Sequence, residues 1–97
     1  MPNDEASALQ REVMFETFQH LLRNPDAKDT AAGIRRWWIA RGEERFTEGD
    51  VQSALSLMVR CGWMLETRIA GTVLYSTTRA GLTEFRARTE ETRYKDE

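Results

Sequence analysis

The chain has 97 residues, 40% of them hydrophobic and 31% charged, with a formal net charge of -2 at neutral pH. That length fits a single domain over residues 1–97 with one modest core, because small domains bury a smaller share of their surface, and the composition excludes wholesale disorder and a membrane class. A single cysteine, Cys61, and a single histidine, His20, exclude an internal disulfide and a zinc site made from these two alone, since such sites take three or four ligands.

No apolar run approaches the roughly 18 residues that span a bilayer. The opening MPNDEASALQRE is acidic and polar, unlike a signal peptide, so a cytoplasmic protein without a membrane partner is expected. The negative total disfavours a general attraction to polyphosphate, which rewards local Lys and Arg contacts. Between Thr30 and Arg86, however, eight arginines face six carboxylates, a small positive excess. Nearly all the basic residues are Arg, which suits bidentate contacts to phosphate or guanine and equally suits surface ion pairs.

The first helix is predicted to start on Asp4 or Ser7, either of which can cap it, and to run to about Arg23. Leu9, Val13, Met14, Phe18, Leu21 and Leu22 recur at three- and four-residue steps as one apolar stripe, with Phe15 beside it. Asn24-Pro25-Asp26 ends the helix, because proline disfavours helical geometry in the residue before it. A second, short helix is capped by Asp29 or Thr30, buries Ile34, Trp37 and Trp38, exposes Arg35, Arg36 and Arg41, and stops at Gly42. Neighbouring residues on a helix are about 100° apart, so one of the adjacent tryptophans should fall at the edge of the core.

Gly42 to Phe46 reads as a connection. Thr47 followed by Asp50 approximates a capping box for a third helix, with Val51, Ala54, Leu55 and Met58 inward and Cys61-Gly62 at its close. Two strands follow. Trp63, Leu65, Thr67 and Ile69 alternate with Met64, Glu66 and Arg68, and beyond Ala70-Gly71 lies Thr72–Thr77, rich in residues that favour a pleated surface. Thr78 then caps a last helix through Leu82 and Phe85. This places the core at about residues 8–88, and the charged end at 89–97 is expected to be flexible or to order on a partner.

An enzyme needs titratable groups converging in a pocket, and none converge here, so no catalytic, cofactor or metal site is expected. His20 reads as a helix-surface or core-edge residue, Cys61 as a small buried hydrophobe, and the tryptophans as core residues that give a small domain buried area.

The order helix, helix, helix, hairpin, helix resembles the winged helix-turn-helix superfamily, an α+β fold. The stretch LMVRCGWMLETRIAGTVLYSTTRAGLTEF is similar to the hairpin region of small bacterial regulators of the MarR and PadR type, matching at Leu57, Gly62, Leu65, Tyr75, Thr78, Gly81 and Leu82. The likeness covers about residues 30 to 86. It implies a transcriptional regulator whose third helix enters the major groove of double-stranded DNA while the hairpin touches the adjacent backbone or minor groove. The DNA-binding set it implies is Thr47, Gln52, Ser53, Ser56 and Arg60 on that helix, Arg68 on the hairpin and Arg79 just beyond. Gln52 would read adenine, the serines phosphate or a base edge, and Arg60 phosphate. A homodimer through the first and last helices fits that reading. Glu48 and Asp50 at the start of the helix, the uncharged Ala70-Gly71 tip and the net charge favour the alternative, a winged-helix protein-interaction module without DNA contacts.

Overall fold

The computed structural model describes residues 7–95, with side-chain surroundings through residue 89. α1 spans Ala8–Arg23. Of the two caps the sequence offers, Ser7 is in place. Its hydroxyl accepts the Gln10 N–H at 3.0 Å while the Gln10 side-chain oxygen accepts the Ser7 N–H at 2.8 Å, a reciprocal capping box. Asp4 lies outside the described residues. Val13, Met14, Phe18 and Leu21 bury the expected stripe, whereas Leu9 and Phe15 stay exposed. Thr17 is buried among them, a position the apolar pattern misses; its hydroxyl donates to the Val13 carbonyl at 2.7 Å, so no polar group is left unsatisfied.

α2, Ala31–Gly33, opens on Thr30, whose hydroxyl accepts the Gly33 N–H at 3.1 Å. It widens at once into a π-helical turn over Ile34–Trp38. The wider turn sets Ile34 and Trp38 on one side, both buried, and swings Trp37 outward to 72% exposure. The expectation that Trp37 packs inward fails for that reason. Asp29, the other candidate cap, is taken by the hairpin, exchanging two backbone hydrogen bonds with Tyr75 at 2.8 and 3.2 Å.

Gly42 does not stop this helix. Ile39 is already extended, and Gly42 begins an additional short helix, α3, Gly42–Arg45, within what the sequence presents as a connection. Arg41, left-handed at φ 56°, makes the reversal. The Arg35 carbonyl then lies 1.9 Å from where a Gly42 Cβ would sit. Arg35 fastens the loop, donating from Nε to the Phe46 carbonyl at 2.7 Å and from the guanidinium end to the Glu43 carbonyl at 3.1 Å.

α4, Glu48–Arg60, is the third helix of the sequence reading, with Val51, Ala54, Leu55 and Met58 buried as expected. Gly62, at φ 82°, makes the left-handed stop. Cys61 is exposed rather than buried, because it sits at the cap, past Met58. β1, Met64–Ile69, and β2, Thr72–Thr77, pair antiparallel from Met64 against Thr77 to Ile69 against Thr72. Positive φ at Ala70 and Gly71 turns the hairpin tightly. Of the two alternating sets, that of Met64 and Tyr75 turns into the core, while Leu65 and Ile69 remain 55% and 54% exposed on the other face. α5, Arg79–Lys95, starts on Thr78, whose hydroxyl accepts the Gly81 N–H at 2.9 Å. It continues past Arg88, and the end of the tail expected at 89–97 lies outside the described residues. Phe85 anchors it, buried and stacked on Phe18 with ring centroids 3.9 Å apart.

Adding a side chain at Gly42 drives a Cβ into a backbone carbonyl that has no rotamer by which to yield. Gly42→Ala is expected to lower stability by about 1–3 kcal/mol, the range for overpacked sites. Thermal unfolding followed by circular dichroism checks this, and an unchanged midpoint contradicts the close approach.

Candidate nucleic-acid interface

α4 is held at both ends, which fixes the face it presents. At its start Thr47 Oγ1 accepts the Asp50 N–H at 3.0 Å and Asp50 Oδ2 accepts the Thr47 N–H at 2.9 Å. At its end the Gly62 carbonyl accepts the Thr78 hydroxyl at 2.8 Å. With one side buried, Gln52, Ser56 and Arg60 line up at four-residue steps along the exposed side, joined by Gly49 and Ser53.

The seven residues singled out in the sequence are all exposed, but their groups are not equally available. Thr47 is committed to the cap. Ser53 leans toward α1 and accepts a hydrogen bond from the Gln10 side-chain amide. Gln52 borders a groove shared with Thr30, Glu48 and Tyr75. Ser56 and Arg60 stand clear on the outer ridge. Arg68 lies on β1, and Arg79 begins α5 beside the C-terminal end of α4, where the Thr78 hydroxyl meets Gly62. The set therefore does not form one cluster: its arginines sit at the end of α4 and on the hairpin, while the start of α4 carries Glu48 and Asp50.

The arginines divide into two groups. Arg35 is spent on backbone carbonyls. Arg36 pairs with Glu43 at 3.6 Å and Arg41 with Glu44 at 3.0 Å. Arg45 binds Glu16 at 3.1 Å and the Ala40 carbonyl at 2.8 Å. Arg60, Arg68 and Arg79 make no ion pair among the described residues. The sequence gives no sign of this partition beyond the density of Glu in residues 43–44. Nor does it signal the exposure of Trp37, over whose ring the Arg36 guanidinium carbon lies 5.4 Å from the centroid.

No known protein family matches the sequence, and no curated protein does. Solved structures do. A point mutant of ZitR from Lactococcus lactis superposes with a TM-score of 0.56 at 12% identity, over 96% of this chain and 57% of that one. The adhesin competence repressor AdcR of Streptococcus pyogenes gives 0.53 at 14% identity, over 94% of this chain and 63% of that one. The fold is a winged helix-turn-helix. α2 with its π turn and α4 are the helix-turn-helix pair, β1 and β2 are the wing, and α3 occupies the connection between the paired helices. The chain spans less than two thirds of either protein.

No helix among the described residues is long and apolar enough to cross a membrane. Burial pushes the Tyr75 phenol above its ordinary pKa, with Glu66 adding to the effect and Arg68 opposing it. His20, on α1, stacks on Trp38 with centroids 4.5 Å apart. Burial holds its pKa below the ordinary 6.5, Arg23 acting in the same direction and Asp29 against it. The folded protein therefore resists protonating His20, while the unfolded chain accepts the proton. The stabilisation is complete above about pH 6.5 and is lost as pH falls from there toward the lower folded pKa. Between pH 7 and 5 the unfolding midpoint of the native chain should fall more steeply than that of His20→Gln. Parallel slopes in a pH series of melts would show that the stack carries no such linkage.

Proposed function

We propose that this chain is a cytoplasmic winged-helix regulator of transcription that binds double-stranded DNA through α4 and the wing. The observation that carries this reading is the polar outer ridge of α4, Gln52, Ser56 and Arg60, left bare beside arginines that make no ion pair among the described residues, while Arg36, Arg41 and Arg45 are paired. Gln52 offers a bidentate amide to adenine, Ser56 a hydroxyl to phosphate or a base edge, and Arg60, Arg68 and Arg79 charge to the backbone. Thr47 and Ser53 contribute through groups already engaged at the cap and by Gln10. Glu48 at the helix start narrows what α4 tolerates, since a carboxylate repels phosphate and accepts from cytosine. The fold shared with a protein named as a repressor supports the same reading. A homodimer through α1 and α5 belongs to it, with exposed Leu9 and Phe15 on α1 as contact residues.

One observation favours a second reading, a protein-interaction module. Trp37 is 72% exposed beside Arg36, and tryptophan and arginine are the residues most enriched where binding energy concentrates in protein interfaces.

Fluorescence anisotropy with random-sequence duplex DNA at low and then moderate salt separates the two. DNA binding predicts affinity that weakens steeply with salt. Arg60→Ala and Arg68→Ala should each weaken binding several-fold and reduce the log–log salt slope by about 1 per lost phosphate contact. Absence of binding at low salt removes the DNA reading and leaves the interaction module.

A further inference from the structure

One edge of the wing is unpaired. Tyr75 spends its own N–H and carbonyl on Asp29, so Glu66, directly opposite Tyr75 across the hairpin, exchanges no backbone bond with β2. The alternation of an antiparallel ladder extends this to Arg68, opposite Val73. The backbone groups of Glu66 and Arg68 thus point away from β2, and no described residue outside the hairpin bonds them. Their side chains are exposed and make no ion pair among the described residues. Charged side chains on an edge strand ordinarily guard it against association, most strongly where a second copy would set like charges together. This edge carries one charge of each sign, two residues apart, flanked by exposed Leu65 and Ile69.

We propose that β1 pairs antiparallel with β1 of a second copy of this chain, Thr67 facing the partner's Thr67 across a two-fold axis. In that register Glu66 lies opposite the partner's Arg68 and Arg68 opposite the partner's Glu66, in the positions that exchange two backbone hydrogen bonds. On the other face Leu65 meets the partner's Ile69, and Ile69 the partner's Leu65, in the pairs whose side chains approach most closely. Sliding the partner by two residues in either direction sets Glu66 against Glu66 or Arg68 against Arg68, which repel. Sliding it by one residue offers backbone groups already used inside the hairpin. Met64 then faces the partner's Ala70, so the two globular bodies lie at opposite ends of a four-stranded sheet.

The test is sedimentation equilibrium over a wide concentration range, in the absence of DNA because Arg68 also serves the DNA reading. The native chain should show a concentration-dependent association through β1, beyond whatever dimer forms through α1 and α5. Glu66→Arg alone and Arg68→Glu alone should each weaken it at least tenfold. An equimolar mixture of the two single variants should restore it as a mixed dimer, since one strand then carries two positive and the other two negative charges. Recovery on mixing also shows that both variants are folded. A native chain that stays monomeric throughout overturns the pairing. So does an association that both single variants retain at full strength with no step lost, which would belong wholly to the α1 and α5 surface, and so does a mixture that fails to recover the lost step. Loss of DNA binding would leave every one of these results unchanged.

Discussion

The residue on which the other elements depend is Trp63, at the root of the wing. Its N–H donates to the Met58 carbonyl at 3.0 Å, which ties the first strand to the last turn of α4. Its carbonyl accepts both the Thr78 N–H at 3.2 Å and the Thr77 hydroxyl at 3.0 Å, which fixes where the second strand ends. The start of α5 passes so close that a Gly81 Cβ would lie 2.2 Å from that same carbonyl. The ring meets Phe18 and Phe85 edge-on at 5.9 and 6.2 Å, a favoured geometry for aromatic pairs. Helix, hairpin and terminal helix are thereby joined through one residue. The angle at which the wing leaves the body is set there rather than at its tip.

A second constraint is electrostatic. α4 begins with Glu48 and Asp50 and ends with Arg60, the arrangement that favours the helix dipole at both ends. What stabilises the helix therefore also polarises the surface it presents. The carboxylates lie at the end that usually approaches bases most closely, while Arg60 at the opposite end and Arg68 on the wing make no ion pair among the described residues. A winged helix with this distribution would lean on backbone contacts from its C-terminal side and the wing, and on Gln52 and Ser56 for base edges. The ion pairs of Arg36 and Arg41 are solvent-exposed and add little stability individually, yet they withdraw charge that composition alone would credit to nucleic-acid binding.

Much of the fold was legible in the sequence because it is written in local chemistry. Ser7, Thr30, Thr47 and Thr78 are all caps in the structure, and Gly62 and Gly71 mark two of its left-handed turns, the one at Arg41 being unmarked by glycine. Less legible were features set by tertiary geometry. The π turn that expels Trp37, the buried Gly42 pressed against Arg35 and the short α3 all arise from how the connection closes over the core, and no periodicity records that. Likewise Leu65 belongs to an apolar alternating set, yet the depth of Met64 and Tyr75 in the core decided which face turned inward. For the candidate site, exposure of Gln52, Ser53, Ser56 and Arg60 followed from the helical phase of α4. Which arginines remain free depended on partners distant in sequence, as with Arg45 and Glu16.

The two faces and two edges of the wing divide its work. Its inner face is fixed by Met64 and Tyr75, and the β2 edge is partly closed by Asp29, so neither is free for a partner. That leaves the β1 edge, the apolar outer face with Leu65 and Ile69, and a tip with no charge. Strand pairing would cover Leu65 and Ile69, each by the other's counterpart, and so take apolar surface out of water. Arg68 sits at the intersection. Its guanidinium can lie against a phosphate or against the carboxylate of a second copy, but it cannot satisfy both fully at once. Self-association through β1 and DNA contact through the wing would thus draw on the same charge, and each would oppose the other in proportion to how strongly it engages Arg68.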